Sequence, residues 1–78
     1  MNELEKAIEK LKGKTFTSKQ LDDFCFIYGW IYTQCDNEKN GEFCEGITTY
    51  QIQADEDEDY FGEFVGNDED GYTYNDYE

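Results

Sequence analysis

A chain of 78 residues makes one domain with a modest core, which leaves little room for an enclosed active site. Twenty Asp and Glu against six Lys give a net charge of −14, and the lack of any His removes the commonest general base and the commonest transition-metal ligand, so no Ser–His or Cys–His nucleophile can form within the chain. No stretch approaches the roughly 18 to 20 apolar residues that span a bilayer, and the charged amphipathic start MNELEKAIEKLKGK has no apolar signal core, so a soluble, unexported protein without membrane contact is expected.

Residues 2 to 12 are predicted as a helix, because Leu4, Ala7, Ile8 and Leu11 recur at the i, i+3, i+4, i+7 spacing with charged residues between them. Asn2 is placed to cap this helix and Gly13 to end it. Glu3 and Glu5 at its start and Lys10 and Lys12 at its end complement the helix dipole. A second helix is predicted from Thr17, where Thr17 and Gln20 have capping-box spacing and Phe16 and Leu21 have hydrophobic-staple spacing. Leu21, Phe24, Cys25 and Tyr28 then share one face, and Gly29 is placed to close the helix in a left-handed conformation. The stretch FCFIYGWIYT, residues 24 to 33, also reads as a strand, being aromatic and β-branched; helix to about Tyr28 is the preferred reading.

Beyond Gly29 four strand-like stretches follow, WIYTQC, ITTYQIQ, YFGEFV and YTYN, separated by polar or acidic turns. The Asn40-Gly41 pair, flanked by Lys39 and Glu42, is the signature of a two-residue hairpin loop. A turn centred there sets Ile31 opposite Tyr50 and Trp30 opposite Gln51, with Ile31, Thr33, Thr48, Tyr50 and Ile52 on the face that meets the helices. Residues 1 to 78 are thus expected to form a single acidic α+β domain, two N-terminal helices packed on a three- or four-stranded antiparallel sheet.

Cys25, Cys35 and Cys44 are odd in number, lack C-x-x-C spacing and follow no secretory signal, which reads as reduced thiols in a cytosol. Cys35 and Cys44 come near each other in the hairpin, but a one-residue slip decides whether they face, so no disulfide follows from the sequence.

Charge is unevenly spread. Residues 1 to 19 hold five Lys and three acids, for +2, whereas residues 20 to 78 hold 17 acids and only Lys39, for −16. Acid-rich chains poor in aromatics are usually disordered, but one Trp, seven Tyr and six Phe supply the apolar surface for a core. The densest acid lies in two turns, Asp55-Glu56-Asp57-Glu58-Asp59 and Asp68-Glu69-Asp70, which a meander places at opposite ends of the sheet. Alternating Asp55, Asp57 and Asp59 resemble the first ligands of a Ca²⁺ loop, but Tyr60 stands where that loop needs Gly and Gly66 where it needs a bidentate Glu, so neither a dedicated metal site nor a cofactor is expected. Paired carboxylates in turns lack the shaped cleft that acid/base catalysis requires, and no enzymatic activity is expected.

From Asp55 to Glu78 acids interleave with Tyr60, Phe61, Phe64, Tyr72, Tyr74 and Tyr77. Phe61 and Phe64 read as sheet core. Tyr72, Tyr74 and Tyr77 read as surface contacts, since little chain follows to cover them. In size, charge, lack of His and acid–aromatic interleaving the chain resembles the small acidic nucleic-acid-mimic proteins of bacteriophages, including several anti-CRISPR proteins and inhibitors of host DNA enzymes. The resemblance is one of composition and carries no motif. It implies an inhibitor in the bacterial cytoplasm whose carboxylates occupy the basic groove of a nucleic-acid-binding protein, such as a Cas nuclease or a restriction enzyme. The expected contacts are Asp55, Glu56, Asp57, Glu58, Asp59, Asp68, Glu69, Asp70, Tyr72 and Tyr74. Direct nucleic-acid binding is disfavoured by charge. An acidic immunity protein or antitoxin against a basic nuclease, and an acidic divalent-cation-binding protein, are the alternatives.

Overall fold

The computed structural model describes residues 3 to 39 and 41 to 77, with side chains from Glu5 onward. Within them lie α1 (Glu3–Leu11), β1 (Thr15–Phe16), α2 (Ser18–Tyr28), β2 (Ile31–Lys39), β3 (Glu42–Gln53), β4 (Tyr60–Asn67) and β5 (Gly71–Asp76). Asn2 and Asn40, the expected cap and turn residue, fall outside the described residues, as does the Leu4 side chain.

The start of α2 follows from local chemistry. Thr17 Oγ1 accepts from the Gln20 N–H at 3.2 Å and Gln20 Oε1 accepts from the Thr17 N–H at 2.9 Å, the two reciprocal bonds of a capping box. At the other end Gly29 takes a left-handed φ of 71°, and the Trp30 N–H reaches the Cys25 carbonyl at 2.9 Å. Helix, not strand, therefore runs through residues 24 to 28.

The expectation of two helices on a three- or four-stranded sheet is overturned. Among the described residues the sheet has five strands in the order β1-β5-β4-β3-β2, and a strand separates the two helices. Thr15 pairs with Thr73 and Phe16 with Tyr72 along the free side of β5. A two-residue strand has no periodicity to read, and Phe16 reads equally well as the staple of α2. It does both, packing edge-on to Phe24 at 5.2 Å and to Phe64 at 5.8 Å between ring centroids.

The hairpin register is also corrected. At the tip Lys39 pairs with Glu42 and Glu38 with Phe43, as a two-residue loop at 40 and 41 requires. Beyond the tip a bulge intervenes, and Asp36 pairs with Thr48, three residues past the partner that the tip register would supply. Asn37, at φ 56°, accepts the Gly46 N–H at 3.1 Å on its Oδ1, and Gly46 takes φ 81°, so the two residues pin the bulge together. An odd shift turns every side chain of the strand to the other face. Ile31 consequently pairs with Gln53, and Tyr32, not Ile31, stands beside Ile52. Cys35 pairs with Thr49, away from Cys44, and all three cysteines are free.

The core lies between the helices and one sheet face. Ala7 and Leu11 of α1 and Leu21 and Cys25 of α2 pack with Phe16, Trp30, Ile52, Phe64, Tyr72 and Tyr74. Tyr50, Phe64 and Tyr74 form one rung across β3, β4 and β5, and Phe64 at its centre is fully buried. The opposite face carries the rung Thr33, Gln51, Glu63 and Asn75. Among the described residues no helix packs there. No helix among the described residues is long and apolar enough to cross a membrane.

Candidate functional site

The two acidic turns leave opposite ends of β4, as the meander requires. Eight strand residues at roughly 3.4 Å each set them about 27 Å apart. Both are ordered by short-range hydrogen bonds. In the first, Asp55 Oδ1 accepts the Asp57 N–H at 3.2 Å, the Asp55 carbonyl accepts the Glu58 N–H at 3.0 Å, and Gln53 Nε2 donates to the Glu58 carbonyl at 2.9 Å. In the second, Asn67 Oδ1 accepts the Asp70 N–H at 2.6 Å and the Tyr72 hydroxyl donates to Asp68 Oδ1 at 3.0 Å.

Asp55 to Asp59 and Asp68 to Asp70 are all exposed. Among the described residues the ion pairs join Lys12 to Glu9 and Asp76, and Lys19 to Asp23, so neither turn holds a counter-cation. Their carboxylates face solvent as uncompensated charge on a hydrogen-bonded frame. No group of three or more Cys, Asp or Glu among the described residues is arranged to hold a metal ion, so the divalent-cation alternative gains no support.

The tyrosines depart from expectation. Tyr72 is 2% exposed and Tyr74 7%, and both rings lie in the core. Two neighbours cover them where the C-terminal segment does not. β1 closes over Tyr72, and Gly62 on β4 leaves the space that the Tyr74 ring fills, since a Cβ at Gly62 would collide with that ring. Of the three, Tyr77 is the one left at the surface, and its hydroxyl donates to Glu63 Oε1 at 2.6 Å.

Glu63 is the residue that sequence reasoning misses. It is 4% exposed, and its Oε2 is buried without a hydrogen-bond partner among the described residues. It lines a cavity of about 290 Å³ on the helix-free face together with Cys35, Glu38, Gly41, Thr49, Gln51 and Tyr77. The hairpin tip leans over this face, because the Thr49 hydroxyl donates to the Glu38 carbonyl. The available signal was a lone acid inside the otherwise apolar run Phe61, Gly62, Phe64, Val65, the pattern of a strand covered on both faces.

Several thiols and phenols among the described residues hold their protons beyond the ordinary range, Tyr32 and Cys35 among them. Burial, helped by Asp22, pushes the Cys25 thiol up to about 11, and burial with the hydrogen bond to Glu63 pushes Tyr77 up to about 12. Burial also raises Tyr72 and Tyr74, with Asp68 and Asp76 adding to the shift. Each group keeps its proton when folded at a pH where the unfolded chain has lost it. The stability they contribute is therefore complete below the ordinary thiol value of 9.0 and falls as pH rises through the folded values. For the buried Tyr72, Tyr74 and Cys25 the decline is up to about 1.4 kcal/mol per pH unit per group. The urea midpoint should be flat to about pH 9 and drop steeply above about pH 10.

Comparison with protein-family models, with curated protein sequences and with solved structures finds no match to this chain. By fold and site the molecule is a helix-backed antiparallel sheet with acidic turns at both ends and a carboxylate-lined cavity on its open face.

Proposed function

We propose that this protein binds and blocks a basic nucleic-acid-binding protein, its carboxylates standing in for phosphates in the target's Lys and Arg groove. The observation that carries this reading is charge density on an ordered frame. The chain bears a net −14 on a body 36 Å long, one charge per about 2.6 Å, against about 1.7 Å for duplex DNA and about 3.4 Å for one strand. The hydrogen-bonded turns favour it further, since an ordered array of charge loses less entropy on docking than a disordered one. The mode is occlusion without catalysis, in the cytoplasm of a bacterial host. A Cas nuclease or restriction enzyme is the kind of target that the compositional resemblance implies.

Capture from a bacterial lysate on the immobilised protein, followed by elution with duplex DNA or with salt, tests the reading. Retained proteins should be nucleic-acid binders that DNA displaces and that added salt releases. A partner that stays bound while holding DNA, with affinity unchanged between low and high salt, would remove groove mimicry.

A further inference from the structure

Glu63 lies on the sheet face that no helix among the described residues covers, yet it is among the most buried charged side chains described. Its first oxygen is answered by a directed relay. The Cys35 thiol donates to Gln51 Oε1 at 4.0 Å, Gln51 Nε2 donates to the Tyr77 hydroxyl at 3.4 Å, and that hydroxyl donates to Glu63 Oε1 at 2.6 Å. Its second oxygen has no donor among the described residues. A buried carboxylate oxygen left in this state destabilises the fold, because desolvation is uncompensated. Such a cost is characteristic of a site shaped for something other than stability.

The cavity in front of Glu63 narrows the choice of ligand. Thr49, Cys35, Gln51 and Tyr77 each direct a donor at an acceptor of this chain, and Glu38 brings a second acid to the wall. The walls therefore favour a ligand that is positive and donates N–H bonds. Anions are repelled, and Cys35, Glu38 and Glu63, though all in the wall, are not arranged as a group that could hold a metal ion. At about 290 Å³ the space is at the bottom of the range for ligand pockets, sized for the head of a side chain or a small amine.

We propose that the Glu63 cavity is a binding site for a single ammonium or guanidinium group, with the Glu63 carboxylate as its main acceptor and Tyr77 and Gln51 positioning that carboxylate. This site is separate from the acidic turns and stands whether or not they bind a partner. The cation can come from a Lys or Arg side chain of another protein or from a free amine.

Carboxyl ¹³C NMR of the whole protein, titrated with methylguanidinium, n-butylammonium and tetramethylammonium, tests the site. The Glu63 resonance should saturate with the two N–H donors and stay unmoved by tetramethylammonium, which carries charge but no N–H. Glu63→Gln should weaken methylguanidinium binding at least tenfold while raising Tm by a few degrees, because the amide keeps the Tyr77 bond and removes the uncompensated charge. Tyr77→Phe, at an exposed position, should keep the fold and weaken binding several-fold. A blocked Gly-Arg-Gly peptide that binds more tightly than methylguanidinium identifies a side-chain source, whereas binding of n-butylammonium without the peptide identifies a free amine. Neutralising Asp55 to Asp59 should leave the titration unchanged within twofold, which separates this site from the turn-binding reading. Equal response to tetramethylammonium, equal binding by Glu63→Gln, or a Glu63 resonance that ignores all three probes overturns the proposal.

Discussion

Phe64→Ala should leave the protein largely unfolded at 25 °C. Phe64 is fully buried between Tyr50 and Tyr74 on one rung and stands edge-on to Phe16 and Tyr74 at 5.8 and 5.2 Å, so it joins β1, β3, β4 and β5 to the helices. Removing a buried Phe side chain costs about 3 to 5 kcal/mol, through lost transfer energy and the cavity left behind. Domains of this length hold roughly 4 to 12 kcal/mol in total, and small single cores tend to the lower end. The self-repulsion of a net −14 works in the same direction. Phe26→Ala is the control, since that ring is 88% exposed and its loss should move the urea midpoint little. Circular dichroism and urea titration of both variants decide the matter. A cooperative Phe64→Ala melt near that of the parent would mean that the sheet core is organised around other contacts.

The parts of this fold legible in the sequence are those determined by neighbouring residues. Thr17 and Gln20 at one end and Gly29 at the other delimit α2 through bonds to residues a few positions away, and Ala7, Ile8 and Leu11 mark the buried side of α1 by spacing alone. The four longer strands follow from runs of aromatic and β-branched residues. What escapes is set by residues distant in sequence. The bulge that flips β2 depends on Asn37 meeting Gly46, and β1 exists because β5 presents an open edge to residues only two positions long. Tyr72 and Tyr74 are read as surface residues because coverage is judged from the chain that follows them, whereas the cover comes from Phe16 before them and from the missing side chain at Gly62.

The candidate sites divide along the same line. Acidic turns are legible because turn charge needs no tertiary partner to be exposed. The Glu63 cavity is not, since it forms only when the bulged hairpin bends Glu38 and Gly41 over Thr49 and Gln51, and that geometry rests on the register shift.

Replacing Asp55, Glu56, Asp57, Glu58 and Asp59 by Asn or Gln should slow association with the captured target by about 10- to 100-fold while leaving the fold intact. The substitutions preserve the turn, because Asn at position 55 keeps the acceptor for the Asp57 N–H, and the other turn bonds run to the backbone of Asp55 and Glu58. Removing charge also relieves self-repulsion, so Tm should hold or rise slightly. Long-range attraction between opposite charges accelerates encounter by 10 to 10³, and exposed charges act mainly on this step, so the loss should appear in the on-rate more than in the off-rate. Salt supplies an independent check with opposite signs on one molecule. Screening should stabilise the free protein by damping repulsion among its acids, and should weaken the complex by damping attraction to the target. The same substitution at Asp68, Glu69 and Asp70 probes the far end of the sheet, where Asn at 68 retains the acceptor for the Tyr72 hydroxyl. A smaller on-rate loss is expected there, since three carboxylates replace five. Stopped-flow association at several ionic strengths reads both variants. On-rates that match the parent at low salt would show that the target is met through another surface, and the exposed Tyr77 beside the Glu63 cavity would be the next place to substitute.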